Sequence, residues 1–231
     1  MLPIRDDQPR YSTPFVNYFL IVLNLLIFLF EATLDRRSLN ALISQFGVIP
    51  AHLAAFLAGS PNFSLAAIAV PFLTSLFLHG SWMHVIGNMW FLYIFGDNAE
   101  DYLGHFKYLV FYLLTGVLAM STHVIVNLYS TAPAVGASGA IAGVLGAYFV
   151  LYPSAKVLTW FYVVVVWIPA WIWLGIWFVG NFLSGTATAL AVQKQNMGGV
   201  AFWAHVGGFI SGALLVKVFG ERRMRYPYAV E

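Results

Sequence analysis

Ser138, in Gly136-Ala137-Ser138-Gly139, and His205, in Ala204-His205-Val206-Gly207-Gly208, place a hydroxyl and an imidazole in apolar surroundings. A serine with a neighbouring imidazole can do nucleophilic chemistry, the ring taking the hydroxyl proton. His84 and Asn88 are spaced i, i+4 and so share one face of a helix. Beside a serine nucleophile they could donate to an oxyanion. The glycines flanking Ser138 leave its backbone N–H accessible at a helix N-terminus, where negative charge is favoured. Each feature also has a plainer use. His205 can be a hydrogen-bonding residue between helices, and Gly-Ala-Ser-Gly a small-residue packing stretch. His84 and Asn88 can satisfy each other or line a solute path.

Other chemistries are excluded or unsupported. With no cysteine in the chain, thiol catalysis, disulfides and cysteine metal sites are ruled out. The nine acidic residues fall in the amino-terminal tail, at span ends or in loops, or at the carboxyl terminus. That removes hydrolysis by a carboxylate pair inside the membrane. No His-Glu-x-x-His run is present, so zinc proteolysis of that type is unsupported. The reading calls for no cofactor and no metal, and a net charge of +2 gives no case for nucleic acid.

The elements that must position these residues are membrane helices. Hydrophobic residues make up 61% of the 231 and charged residues only 9%, against about 25% charged in soluble domains. Apolar runs predict six spans at 15–30, 83–95, 106–127, 139–152, 157–182 and 202–219. The first reads as a retained transmembrane helix rather than a cleaved signal. Between the first two spans, 63–78 is apolar but interrupted by Pro71. It reads as an element dipping into the membrane. With six spans and the amino terminus inside, eight of the eleven Lys and Arg residues are cytoplasmic, which places both termini inside.

The fourth span is too short to cross. A helix over 139–152 reaches only about 21 Å at 1.5 Å per residue, against a hydrocarbon core of about 30 Å. With Pro153 at the inner face, Ser138 lies roughly 10 Å below the outer one. Counting back from Asp97, Pro153 and Lys217 puts His84, Ser138 and His205 at similar depth, roughly 18–22 Å above the inner ends. Gly208 and Gly212 share a face with His205, and Gly139, Gly143 and Gly146 line the fourth span. Small residues so spaced let helices approach closely. The two stretches are expected to meet and bring Ser138 to His205.

His84-Val85-Ile86-Gly87-Asn88, Gly136-Ala137-Ser138-Gly139 and Ala204-His205-Val206-Gly207-Gly208, in this order on parallel spans, resemble the rhomboid intramembrane serine proteases, of the prokaryotic type. Phe77-Leu78-His79-Gly80 and Phe95-Gly96-Asp97-Asn98, with Glu100 and Gly104, extend the resemblance. It implies an all-α polytopic membrane protein, a six-transmembrane-helix bundle with a membrane-embedded first loop. The domain would run over 15–220 between cytoplasmic tails at 1–14 and 221–231. By position, Ser138 is the nucleophile and His205 its general base, while His84, Asn88 and the Ser138 N–H form the oxyanion hole. Gly136, Gly139, Gly143, Gly208 and Gly212 pack the helices at the site.

The implied activity is cleavage of single-span transmembrane proteins in a lipid bilayer, near the outer face and at a small residue. Water would enter beneath a loop at 183–200, and substrate between the second and fifth spans. Trp167, Trp171, Trp173 and Trp177 on the fifth span read as lipid-facing or interfacial. Two departures stand out: Ala142 occupies a place where some members stack an aromatic on the histidine, and the first loop lacks a paired Trp-Arg. A catalytically silent rhomboid-like binder of membrane clients is the alternative. A six-span transporter is a third reading, without an internal repeat or intramembrane charge to favour it.

Overall fold

The computed structural model describes residues 1–190 and 201–220. Residues 191–200 of the expected loop at 183–200 and the carboxyl-terminal tail 221–231 lie outside the described residues. Strand β1 (Leu2–Asp6) leads into α1 (Phe15–Thr33). Then α2 (Arg36–Phe46), α3 (Pro50–Leu57) and α4 (Leu65–Thr74) form the long first connection. A 3-10 turn at Ser75–Phe77 precedes α5 (Trp82–Leu103) and α6 (His105–Val126). The short α7 (Ser138–Leu151) is followed by strands β2 (Lys156–Phe161) and β3 (Val164–Pro169). Helices α8 (Ala170–Leu190) and α9 (Phe202–Phe219) complete the described chain.

This is a helical membrane protein. Among the described residues α1, α6 and α9 are individually long and apolar enough to cross, and the bent pair α4–α5 adds a fourth candidate. Local signals set the helix starts. Asp35 caps α2 by accepting from the Arg37 and Ser38 N–H groups at 2.8 and 3.0 Å, and Ser64 caps α4 through Ala67 N–H. Ser81 caps α5 through His84 N–H. Pro71 does not interrupt α4. The break comes instead after the 3-10 turn, where the chain bends by 78° into α5.

Two expectations are corrected. The expected span 157–182 is not one helix, and the fold is not wholly α. Its first half is the β2–β3 hairpin, and β1 adds to β2 to make a three-stranded antiparallel sheet in the order β1-β2-β3. The run Val157 to Ile168 is dominated by β-branched and aromatic residues, which suit a pleated strand. Pro169 then stands immediately before the helix, where its missing N–H is no loss. Val157 and Thr159 are buried at alternating positions, and Trp90 Nε1 of α5 donates to the Pro3 carbonyl at 2.7 Å. So part of the expected tail 1–14 is sheet.

A further correction concerns α5, which continues past Phe95 to Leu103 and carries Asp97, Glu100 and Asp101 within the helix. The described contacts show why these acids are tolerated there. Glu100 accepts from the Val16 and Asn17 N–H groups at 3.0 and 2.6 Å, and from His105 Nδ1 at 2.5 Å. It thereby caps α1, which has no side-chain cap of its own. Asp101 accepts from Tyr11 N–H and the Ser12 hydroxyl. Asp6 of β1 accepts from the Tyr148 hydroxyl of α7 at 2.5 Å, and from the Asn98 amide.

Burial pushes the Asp6 carboxyl up to about 7, outweighing the Tyr148 hydrogen bond, which acts the other way; Asp97 and Asp7 add to the rise. A carboxyl raised in the folded state favours folding at low pH and loses that contribution as pH climbs through its folded value. The loss runs from the ordinary carboxylate value up to about 7, so Asp6→Asn should gain thermal midpoint over the parent between pH 5 and pH 8.5, measured in detergent. An equal offset at both pH values would contradict this.

Candidate active site

Ser138 is the first residue of α7, and the turn delivering it depends on Gly136. That glycine has φ +130°, a conformation side chains rarely adopt. Its N–H donates to the Ser75 carbonyl at 2.8 Å. A Cβ there would lie 2.7 Å from Cε1 and Nε2 of His84 and 3.7 Å from Ser138 Oγ. The bare glycine thus lets the His84 ring settle beside the serine. The Ala137 carbonyl takes the first helical bond, from Ile141 N–H, and no side chain caps α7. The N–H groups of its first turn therefore have no intrahelical partner, at the positive end of the helix.

Helix α7 is wedged between α6 and α9 with almost no side chain between backbones. On α6, a Cβ on Gly139 would fall 2.8 Å from the Ala119 Cβ, and one on Gly143 would strike Thr115. On α9, a Cβ on Gly208 would strike the Gly139 carbonyl, and one on Gly212 the Gly143 carbonyl. Gly146 in turn faces the Phe209 carbonyl. The Gly139 Cβ position is 3.7 Å from the Ala204 Cβ. Ser138 and His205, each next in sequence to one of these contact residues, therefore stand at the same level of neighbouring helices. No hydrogen bond joins the two side chains.

His205 is held from α8. Its Nδ1 is 2.6 Å from Asn181 Oδ1, and the Trp177 ring lies 5.7 Å away, tilted by 33°. Ala142 is fully buried, with the Gly208 Cβ position 3.1 Å from its methyl. An aromatic at Ala142 would have to push α9 away.

His84 and Asn88 lie one turn apart on α5. The Asn88 amide nitrogen is 3.0 Å from Nε2 of buried His79, and the His79 and His84 rings meet edge to face at 5.1 Å. One of the two Asn88 N–H groups is thus directed at His79. Glu31 of α1 accepts from the His79 N–H at 3.1 Å, anchoring that loop.

A family model described as Rhomboid domain matches residues 66–222. The chain belongs to the rhomboid family. Among curated relatives, Rhomboid-like protein 11, chloroplastic, of Arabidopsis thaliana is 30% identical over 163 residues, covering 65% of this chain and 52% of the relative. Rhomboid protein 1, mitochondrial, of Saccharomyces cerevisiae is 28% identical, covering 65% and 43%. Presenilin-associated rhomboid-like protein, mitochondrial, of Homo sapiens is 26% identical, covering 62% and 36%. The chain spans about half the length, or less, of these relatives. They are organellar proteins and lend the prokaryotic type no support.

Within this rhomboid fold the sequence reading overlooked Asn181, because the expected fifth span treated it as a span end. The signal was present: an amide four residues after Trp177, inside an apolar run, is expected to face protein. The tryptophans also divide. Trp171 is exposed and Trp167 lies on β3 beneath Arg5. Trp173 is buried against Phe91 and Phe95, and only Trp177 meets the site. The expected loop at 183–200 begins later, since α8 continues to Leu190.

Gly136→Ala meets both the strained φ and the His84 ring, a cost of about 1–3 kcal/mol. Its thermal midpoint in detergent should fall clearly. Gly87→Ala, on α5 where a Cβ meets nothing within 4 Å, should leave the midpoint unchanged or raise it slightly. Equal behaviour of the two variants would remove the argument for Gly136.

Proposed function

We propose that this rhomboid protein is an intramembrane serine endopeptidase that cleaves single-span membrane proteins near the outer face of the cell membrane. In this reading α1, α5, α6, α7, α8 and α9 are six spans, with both termini cytoplasmic. The observation that carries the proposal is the backbone contact of α7 with α9, which sets Ser138 level with His205 while Gly136 admits His84 beside the serine. Supporting it are the uncapped first turn of α7 and the excess of Lys and Arg on the side assigned to the cytoplasm.

The chemistry follows from these groups. Ser138 Oγ attacks the scissile carbonyl carbon, the carbonyl π pair moves onto oxygen, and the hydroxyl proton passes to His205. The oxyanion is held by the Ser138 N–H, His84 and the Asn88 N–H not directed at His79. As the C–N bond breaks, His205 returns the proton to the departing amine. Water then attacks the acyl-enzyme by the same route. The pair acts without an acidic third member. A substrate segment would enter between α5 and α8, whose ring contacts at Trp173 lie only three residues into α8. The close backbone packing of α7 on α9 leaves little room near Ser138, so a small residue at the cut is favoured.

Purified protein in detergent should be labelled by a fluorophosphonate, and Ser138→Ala and His205→Ala should each lose labelling and cleavage of a reporter membrane substrate. Asn88→Ala should lower kcat about 10²–10³-fold. Equal labelling of all three proteins would sink the proteolytic reading. Reporter binding without labelling or cleavage in the parent would favour a silent client binder.

A further inference from the structure

We propose that Asn181 is a positioning residue for His205, fixing the ring tautomer that leaves Nε2 as the proton acceptor, with Trp177 supplying the ring support that Ala142 does not. The inference rests on the protease reading for its consequence in catalysis, but the tautomer stands on geometry alone.

The amide orientation decides the matter. Asn181 Nδ2 donates to the Trp177 carbonyl at 2.8 Å, one turn back on α8. That bond commits the nitrogen end, so the atom 2.6 Å from His205 Nδ1 is the oxygen. Reversing the amide would set oxygen against a carbonyl. An amide oxygen only accepts, so His205 Nδ1 must carry the hydrogen. In a neutral imidazole the other nitrogen then holds the free lone pair.

Trp177 acts twice. Its carbonyl orients the amide and its ring lies along the imidazole, 5.7 Å away at 33°. The same ring, with Phe178, packs on Phe209 of α9, at 6.2 and 4.9 Å. The support therefore spans a full turn of both helices. On the opposite flank Gly208 and Ala142 close the gap between α7 and α9, so among the described residues the ring contact with His205 comes from α8. The titratable neighbours facing His205 are His84 of α5 and His123 of α6. A neutral amide orients the ring without adding a charge to the membrane interior, which would be costly there.

The test compares parent, Asn181→Ala and Asn181→Asp in detergent, with Ser138→Ala as the inactive control and thermal midpoints to verify folding. Imidazole 15N chemical shifts should report hydrogen on Nδ1 of His205 in the parent and a shift toward Nε2–H in Asn181→Ala. With a reporter membrane substrate, Asn181→Ala should lower kcat about 10- to 100-fold with KM nearly unchanged. Asn181→Asp keeps the acceptor and should recover much of kcat. Its carboxylate favours the imidazolium, so the acid limb of its pH profile should move upward by about one unit or more. Hydrogen on Nε2 in the parent, or an unchanged tautomer in Asn181→Ala, would overturn the proposal. So would equal loss in both variants without a shifted profile. A parent no more active than Ser138→Ala would defeat the protease reading, while the 15N shifts would still decide the role of Asn181.

Discussion

The rest of the structure depends on the direct backbone contact between α7 and α9. In lipid, helices gain little from hiding apolar side chains from one another, and close packing has to supply the attraction. Gly146 on one helix and Gly208 and Gly212 on the other remove the side chains that would hold these axes apart, while Gly139 and Gly143 do the same toward α6. The result fixes depth as well as distance. Ser138 begins a helix of 14 residues, and His205 lies three residues before the first contact glycine on α9. Neither can slide along its neighbour without driving a carbonyl into a Cα. The same contact accounts for Ala142, since the space an aromatic would need is taken by Gly208.

A second constraint operates at the far end of α5. That helix carries His84 and Asn88 near its start and Asp97, Glu100 and Asp101 near its finish. Buried carboxylates are tolerated only where donors meet them. Here the donors come from the start of α1, from His105 and from the residues just before α1. The polar end thus ties α1 and α6 to α5, while Asp6 and Trp90 dock the sheet. One helix consequently relates the His84 and Asn88 side of the candidate site to the scaffold beneath it.

Much of the site was legible because its signals are local. An apolar segment too short for the bilayer singled out Ser138, i, i+4 spacing paired His84 with Asn88, and glycine periodicity marked the faces of α7 and α9. Those cues survive in one dimension because each reports on a single helix. The hairpin at β2–β3 was not legible by the same means. A long apolar run reads alike as helix or strand to a hydropathy argument, and β-branched content had to arbitrate. Local sequence could have marked Asn181 as an amide facing protein, but not its partner, which lies 24 residues away on another helix.

The amino-acid sequence by itself determined that the chain is a membrane protein, which polar residues stand out in apolar surroundings as candidates for chemistry, and which helix faces can approach closely. These follow from composition and periodicity, properties of segments taken singly. Tertiary structure alone decided what faces those residues: that His79 holds Asn88, that Gly136 makes room for His84, and that α8 rather than α7 supports the His205 ring. Such relations depend on distances between helices, and these are set only when the backbones of α7 and α9 close on each other and α5, α6 and α8 pack against that pair.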